Sequence, residues 1–178
     1  MRKITNEELN RPSVEEFSAM KRIPVRVVLD NVRSAQNVGA FFRTADAFAI
    51  EHISLCGITA TPPSKDIHKT ALGAELTVAW SHNPSTPECV EELKSQGYKV
   101  LAIEQVEGAV MLDELKIEHN EKYALVFGNE VAGVAQDVVD LCDGAIEIPQ
   151  VGTKHSVNVS VAGGIVLWPF FAALRNLL

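Results

Sequence analysis

The stretch Ala124-Leu-Val-Phe-Gly-Asn-Glu-Val-Ala-Gly-Val134 passes from a short apolar run straight into a turn that holds two glycines and a carboxylate. A near-continuous apolar run is typical of a strand that is buried on both faces of a sheet. A similar run occurs at Val25-Arg-Val-Val-Leu29. Because Gly128 has no Cβ, a ligand could approach the backbone there. The stretch therefore predicts a central strand whose carboxyl end opens onto a candidate site.

Outward from this stretch, apolar runs rich in β-branched residues alternate with helical patterns. This alternation is typical of α/β proteins with a mainly parallel sheet and helices on both faces. We predict one such domain over residues 23–178, preceded by a helical extension at residues 1–22. The predicted strands are Val25–Asp30, His52–Cys56, Leu76–Trp80, Tyr98–Ile103, Tyr123–Phe127 and Ala145–Ile148, and the predicted helices are Val38–Phe48, Pro87–Gln96, Ala135–Cys142 and one from Ser156 onward.

The composition fits a single domain of this kind. The 178 residues are 47% hydrophobic, enough for one well-filled core. Cys56, Cys89 and Cys142 lie far apart and form no Cys-x-x-Cys pattern, so we expect core cysteines and no metal site. The first residues are too polar for a secretory signal, and we therefore expect a cytoplasmic protein.

The formal net charge is −7, but the basic residues gather near the amino terminus. Residues 1–43 hold eight Lys and Arg against five Asp and Glu. Arginine suits phosphate because its planar guanidinium presents a fork of donors. This end therefore indicates a local surface for a phosphate-bearing partner, with an ordinary solvated surface as the alternative. Six of the seven arginines fall there, namely Arg2, Arg11, Arg22, Arg26, Arg33 and Arg43.

A long uncharged segment, from Ser156 to Leu174, raises the question of a membrane span. Asn158, the pair Gly163-Gly164 and Pro169 interrupt its apolar character. A buried helix at a subunit interface accounts for these residues better, and we expect no membrane association.

Three stretches rich in Gly, Asn and Ser follow predicted strands, where α/β sheets bind ligands. In the first, Asn37 is placed to cap a helix that carries Arg43 about a turn and a half later, and the helix start would favour an anion. The alternative is a plain capped helix with a surface arginine. The second is the turn at Gly128, which matches neither G-x-G-x-x-G nor a Walker pattern. In the third, Ser156, Asn158 and Ser160 alternate with valines after Ile148-Pro149.

Together these stretches resemble the three motifs of the SpoU/TrmH family of RNA ribose 2′-O-methyltransferases, within the SPOUT superfamily. The matching segments occur in the family's order and reach from Asn37 to Ala162. They are Asn37-x-Gly39 with Arg43-Thr44-Ala45, Phe127-Gly128-Asn129-Glu130 with Gly133, and Ile148-Pro149 with Ser156-Val157-Asn158-Val159-Ser160-Val161-Ala162.

The resemblance implies an enzyme that binds S-adenosylmethionine and methylates a ribose 2′-hydroxyl of tRNA or rRNA. It also implies a C-terminal trefoil knot and a homodimer in which Arg43 faces the cofactor of the partner subunit. Nothing in the sequence decides which RNA or which nucleotide is modified. By resemblance the cofactor-binding residues are Ile103, Glu104, Phe127, Gly128, Ile148, Pro149, Ser156 and Val157, and the catalytic residues are Arg43, Asn37, Glu130, Ser156 and Asn158.

The arginine matching Arg43 is described in the family as a base, but a guanidinium is essentially always protonated. We expect instead that Arg43 grips a phosphate and stabilises charge on the 2′-oxygen. Asn37, Glu130, Ser156 and Asn158 would then orient groups around it. Two alternatives remain: a non-catalytic RNA-binding or assembly protein that retains the fold, and a generic nucleotide-binding α/β enzyme, which the missing phosphate loops disfavour.

Overall fold

A seven-stranded parallel sheet forms the centre of the protein in the computed structural model, which describes residues 1–5 and 7–178. The strand order is β3-β2-β1-β6-β4-β7-β5, and every neighbouring pair is parallel. The predicted mainly parallel α/β fold is therefore confirmed. The strands are β1 (Ile23–Asp30), β2 (Ile50–Cys56), β3 (Trp80–Asn83), β4 (Tyr98–Ile103), β5 (Val110–Met111), β6 (Lys122–Phe127) and β7 (Gly144–Glu147).

Helices cover both faces of the sheet, because alternate residues of its central strands point to opposite sides. Val27 and Leu29 of β1 belong to the core on one face, with Phe41, while Val28 belongs to the core on the other, with Leu93. The helices are α1 (Val14–Ala19), α2 (Ala35–Ala47), α3 (Lys65–Ala71), α4 (Thr86–Ser95), α5 (Gln136–Leu141) and α6 (Val159–Leu174). Helices α2, α3 and α6 pack on the first face, and α4 and α5 on the second.

The third strand was wrongly predicted at Leu76–Trp80. Residues Ala74–Leu76 form a 3₁₀ turn, and β3 begins only at Trp80. Leu76 is 76% exposed, so its apolar side chain does not mark a buried strand. Helix α3 and the two-residue strand β5 were not predicted, because both are too short to show a clear period.

Two helix starts also differ from the prediction. Helix α2 begins at Ala35 and is capped by Ser34, whose Oγ accepts from the amide of Asn37 at 3.3 Å. Asn37 therefore lies in the first turn and does not cap the helix. Helix α6 begins at Val159, three residues later than predicted.

Helix α6 and the 3₁₀ turn after it, Val159–Leu177, are long and apolar enough to cross a membrane by length and composition alone. One side of the helix is buried in the protein, however, where Val166, Leu167 and Phe170 join the core beside α2 and β1. Gly163 allows this packing, because a Cβ there would lie 2.4 Å from the ring of Phe41. The helix is therefore part of the folded domain.

Before β1, the chain forms a 3₁₀ turn at Glu7–Leu9 and the short helix α1. Ser13 and Glu16 cap α1 reciprocally, each accepting from the backbone amide of the other. Arg22 then lies over the ring of Phe17, with its Cζ 3.8 Å from the ring centroid. Among the described residues of this extension, the predicted helical character is thus limited to two short elements.

Candidate active site

A cleft of 490 Å³ lies at the carboxyl ends of β4, β6 and β7. Parallel strands place their carboxyl ends at one edge of the sheet, where a change in strand order leaves a crevice between loops. The segment 148–158, between β7 and α6, forms much of the remaining wall. Three loops that are distant in sequence therefore meet at one site.

Seven of the eight predicted cofactor-binding residues line this cleft. Pro149 does not, although its neighbours Ile148 and Gln150 do. Ile103 and Phe127 are adjacent in the sheet register, which places two apolar side chains at the inner end of the cleft. The seven lining residues are Ile103, Glu104, Phe127, Gly128, Ile148, Ser156 and Val157.

Gly128 is required by the chain itself. A Cβ at this position would lie 2.0 Å from the carbonyl carbon of Gly133 and 2.1 Å from the amide nitrogen of Val134. We predicted the glycine as a place where a ligand approaches the backbone. In the structure the returning loop makes this close approach, and the absence of a side chain lets the loop close against the end of β6.

Asn129 holds that loop in shape. Its Oδ1 accepts from the amides of Val131 at 2.9 Å and Ala132 at 3.2 Å, and its Nδ2 donates to the carbonyl of Asn31 at 2.8 Å. Two backbone hydrogen bonds between Asn129 and Gly133 close the turn. The loop after β6 is thereby fixed both internally and to the end of β1.

Glu130 occupies the start of α2. Its Oε2 accepts from the amide of Arg33, and its Oε1 from the amide of Ser34, both at 2.9 Å. Partial burial acts to raise the pKa of Glu130, but these amides and the side chain of Asn37 outweigh it and lower the pKa. The anion that we predicted at this helix start is therefore the protein's own carboxylate, which satisfies free amides there.

Asn37 links Glu130 to the third motif. Its Nδ2 donates to Glu130 Oε1 at 2.8 Å, which directs its Oδ1 toward Asn158. Asn158 Nδ2 donates to that oxygen at 3.2 Å, and the hydroxyl of Ser160 lies 3.4 Å from it. One hydrogen-bonded chain thus joins residues of all three predicted motifs. Asn37 itself is buried beneath the cleft wall and does not line the cleft.

Arg43 lies outside the cleft. It is exposed on α2, and no described residue offers its guanidinium a hydrogen bond or an ion pair. The structure of one chain therefore brings Glu130, Ser156 and Asn158 to the cleft, but not Arg43.

The predicted basic surface is only partly free. Arg26 pairs with Glu51 at 2.8 Å, and Arg2 pairs with Glu8. Arg22 packs on Phe17 and donates to the carbonyl of Thr77. The guanidinium groups of these three arginines therefore already have partners. Those of Arg11, Arg33 and Arg43 have none among the described residues.

Sequence reasoning missed several residues of the site. Gln105, Gln150 and His155 line the cleft, and Ser160 joins the hydrogen-bonded chain beneath it. The sequence analysis places Ser160 in the third stretch, where it continues the alternation of Ser156 and Asn158, but does not predict it as a site residue. His155 carried the signal of a proton-exchanging side chain next to a motif serine.

The fold and the site together indicate the class of protein to which this chain belongs. A parallel α/β sheet with a ligand-sized cleft at its carboxyl edge and carboxylates in the cleft wall is typical of an enzyme that binds a small molecule. Residues 24–168 match the SpoU rRNA Methylase family. The chain belongs to this family of RNA methyltransferases, which confirms the resemblance and the class of enzyme predicted from the sequence.

Individual relatives agree with this assignment. A tRNA (guanosine(18)-2′-O)-methyltransferase of Thermus thermophilus is 31% identical over 161 residues, which cover 90% of this chain and 81% of that protein. A 23S rRNA (guanosine-2′-O-)-methyltransferase of Vibrio vulnificus is 29% identical over 169 residues, covering 95% of this chain and 66% of that protein.

Solved structures show the same fold. The TrmH/SpoU tRNA modifying enzyme of A. aeolicus superposes with a TM-score of 0.78 at 26% identity, over 89% of this chain and 79% of the other. The AdoMet-bound rRNA methyltransferase of Sinorhizobium meliloti gives a TM-score of 0.78 at 27% identity, over 91% of this chain and 60% of the other. The chain thus spans most of the Thermus protein, but about two thirds or less of the Vibrio and Sinorhizobium proteins.

Proposed function

We propose that the protein transfers a methyl group from S-adenosylmethionine to a ribose 2′-hydroxyl of tRNA or rRNA. The observation that carries the proposal is the convergence of three motif segments on one cleft, joined by the chain Glu130–Asn37–Asn158. The relatives from Thermus and Vibrio are named as 2′-O-methyltransferases of tRNA and 23S rRNA, which supports both the reaction and the two substrate classes.

The cleft suits this methyl donor. Its volume lies within the roughly 300–1,000 Å³ that small-molecule sites occupy. Ile103, Phe127 and Ile148 supply apolar surface for a flat base, and the carboxylates of Glu104 and Glu130 favour a cationic ligand. The AdoMet-bound structure from Sinorhizobium supports the same cofactor. When bound, S-adenosylmethionine supplies a methyl group made electrophilic by a sulfonium.

Arg43 binds the RNA. Its exposed guanidinium has no partner among the described residues and can therefore hold a phosphate through a planar pair of donors. In that position it also stabilises charge that develops on the neighbouring 2′-oxygen. Arg33, which is exposed just before the capping residue of α2, offers a second guanidinium to the RNA backbone.

The active enzyme is a homodimer. Val161, Ile165 and Trp168 form an exposed apolar stripe on the uncharged helix α6, with Trp168 54% exposed. Such a stripe on one helix is suited to a two-fold interface, where it meets its own copy. Because Arg43 lies outside the cleft of its own chain, the dimer completes each site by adding Arg43 of the partner subunit.

The C-terminal part of the chain is tied in a trefoil knot. Between β7 and α6 the segment 148–158 lines the same cleft as the loops after β4 and β6, and α6 then packs against α2 and β1. This proximity of the C-terminal segment to two earlier loops supports the proposed knot. Mechanical unfolding from the two termini checks the knot, because a tightened knot shortens the fully extended chain.

We further propose that the enzyme works in the cytoplasm, where its RNA substrates are found.

Two measurements on the wild-type protein test the function. Calorimetric titration with S-adenosylmethionine should show binding, and labelled donor should methylate total RNA from cells that lack this gene. Nuclease mapping should then place the label on 2′-O-methylated nucleotides. No binding at millimolar donor leaves the alternative of a non-catalytic RNA-binding protein, and label on a base nitrogen overturns the ribose assignment.

A further inference from the structure

The cleft contains three described side chains that can accept a proton, namely Glu104, Glu130 and His155. The proposed reaction, on which this inference rests, releases a proton when a ribose hydroxyl becomes a methyl ether. An alcohol is a poor nucleophile while it keeps that proton, so a nearby group must take it. The contacts of the three side chains distinguish between them.

The carboxylate of Glu130 is already held by hydrogen bonds that stabilise the fold. Both of its oxygens accept hydrogen bonds, two from the backbone amides of Arg33 and Ser34 and one from the side chain of Asn37. Burial opposes ionisation, but these bonds dominate and lower the pKa of Glu130. A carboxylate held in this way is a weak base, and protonating it would release the start of α2.

The carboxylate of Glu104 is likewise held by hydrogen bonds from the backbone. Its Oε2 accepts from the amide of Val134 at 2.9 Å, and its Oε1 accepts from the amide of Gln105 at 2.9 Å. A Cβ added to Gly133 would lie 2.2 Å from Glu104 Oε2, which shows how closely the loop after β6 closes on this carboxylate. Glu104 therefore anchors two loops of the cleft.

His155 differs from the two carboxylates, because its ring is not held by hydrogen bonds from any described residue. It is exposed at the cleft wall beside Ser156, three positions before Asn158, the residue that caps α6. No described residue hydrogen-bonds to its ring. Imidazole is the side chain that exchanges protons near neutral pH, and its exposure lets the proton pass on to water.

We propose that His155 accepts the proton of the ribose 2′-hydroxyl during methyl transfer. The 2′-oxygen forms a bond to the methyl carbon as the carbon–sulfur bond breaks, and that electron pair stays on sulfur, leaving a neutral thioether. The O–H proton passes to a ring nitrogen of His155, which becomes an imidazolium and then releases the proton to solvent. Arg43 is thereby freed from the role of base and keeps its charge for the phosphate.

The test compares His155→Gln with wild type under single-turnover conditions, using labelled S-adenosylmethionine and total RNA from cells that lack this gene. We expect the rate of methyl transfer to fall by about 100-fold or more. Affinity for the donor, measured by calorimetry, should stay unchanged. His119→Gln removes another exposed histidine, which does not line the cleft, and should keep the wild-type rate.

Chemical rescue separates proton transfer from positioning. A His155→Gly variant should recover part of its rate when imidazole is added to the buffer, because the free base can enter the vacated position.

Each other outcome is decisive. A His155→Gln protein with a wild-type rate overturns the proposal, as does a slow His155→Gly protein that imidazole does not restore. A variant that only weakens RNA binding makes His155 an RNA contact and also overturns it. If wild-type protein binds no S-adenosylmethionine or methylates no RNA, the proposed function fails first, which the wild-type measurements show separately.

Discussion

Asn158 donates a hydrogen bond to Asn37 at 3.2 Å, although the two residues are 121 positions apart in the chain. Asn158 also caps α6, since its Oδ1 accepts from the amides of Ser160 at 2.9 Å and Val161 at 3.4 Å. Asn37 is held from the other side by Glu130. One side chain therefore fixes both where α6 begins and how it sits against the first turn of α2.

Two substitutions at Asn158 separate these roles. Asn158→Ala removes the cap and should lower the free energy of unfolding by about 1 kcal/mol. Asn158→Asp keeps an acceptor for the cap but cannot donate to Asn37, so it should be more stable than the alanine variant and still lose methyl transfer. Urea unfolding and a methylation assay check both, with the exposed Asn176→Ala as control. Full activity in Asn158→Asp would show that the bond to Asn37 is dispensable.

Glu130 should make stability depend on acid pH. Its pKa is lower in the folded protein than its ordinary value of 4.5, so the folded state binds fewer protons than the unfolded state. The stabilisation is full above that ordinary pKa and is lost as the pH falls through the folded pKa. Denaturant unfolding from pH 7 to pH 3 should therefore show a steeper loss for wild type than for Glu130→Gln below about pH 4.5. Parallel curves would contradict this role.

Gly128→Ala should open the cleft. Its new Cβ would meet the backbone at Gly133 and Val134, which cannot rotate away as a side chain could. We expect a loss of about 1–3 kcal/mol in stability and weaker binding of S-adenosylmethionine. Thermal melting and calorimetry measure the two effects. Gly152→Ala is the matched control for stability, because no atom lies within 4 Å of its added Cβ. Equal melting temperatures for the two variants would sink the prediction.

Subunit complementation tests the composite site. Arg43→Ala and Asn158→Ala should each be inactive as homodimers, because one lacks the RNA contact and the other a cleft residue. Random mixing gives heterodimers in which one of the two sites is intact, so about a quarter of the wild-type activity should return. Co-expressed, separately tagged chains provide the measurement. No recovery in purified heterodimers would mean that Arg43 serves the cleft of its own chain.

Much of the fold could be predicted from local patterns. Strands such as β1 and β6 could be predicted because burial on both faces requires continuous apolar side chains. Edge strands were harder to predict, since β3 is short and half exposed. The exposed apolar side chain of Leu76, four residues before β3, led to the wrong prediction of the strand's start. Helix starts were displaced for a related reason: Asn37 has the residue type of a cap, but its side chain bonds to Glu130, far away in the sequence.

By itself, the sequence determined most of the strands and helices along the chain, the family, and the three segments that carry the chemistry, because hydrophobic period and motif residues are local properties. Only the tertiary structure decided which of those residues meet. In the structure the carboxylate of Glu130 binds the amides at the start of α2, and Arg26 forms an ion pair with Glu51. Arg43 lies outside the cleft of its own chain, whereas His155 lines that cleft. The reason is physical: a hydrogen bond or an ion pair depends on distances of about 3 Å, and the packing of the sheet and helices sets those distances for residues far apart in the chain.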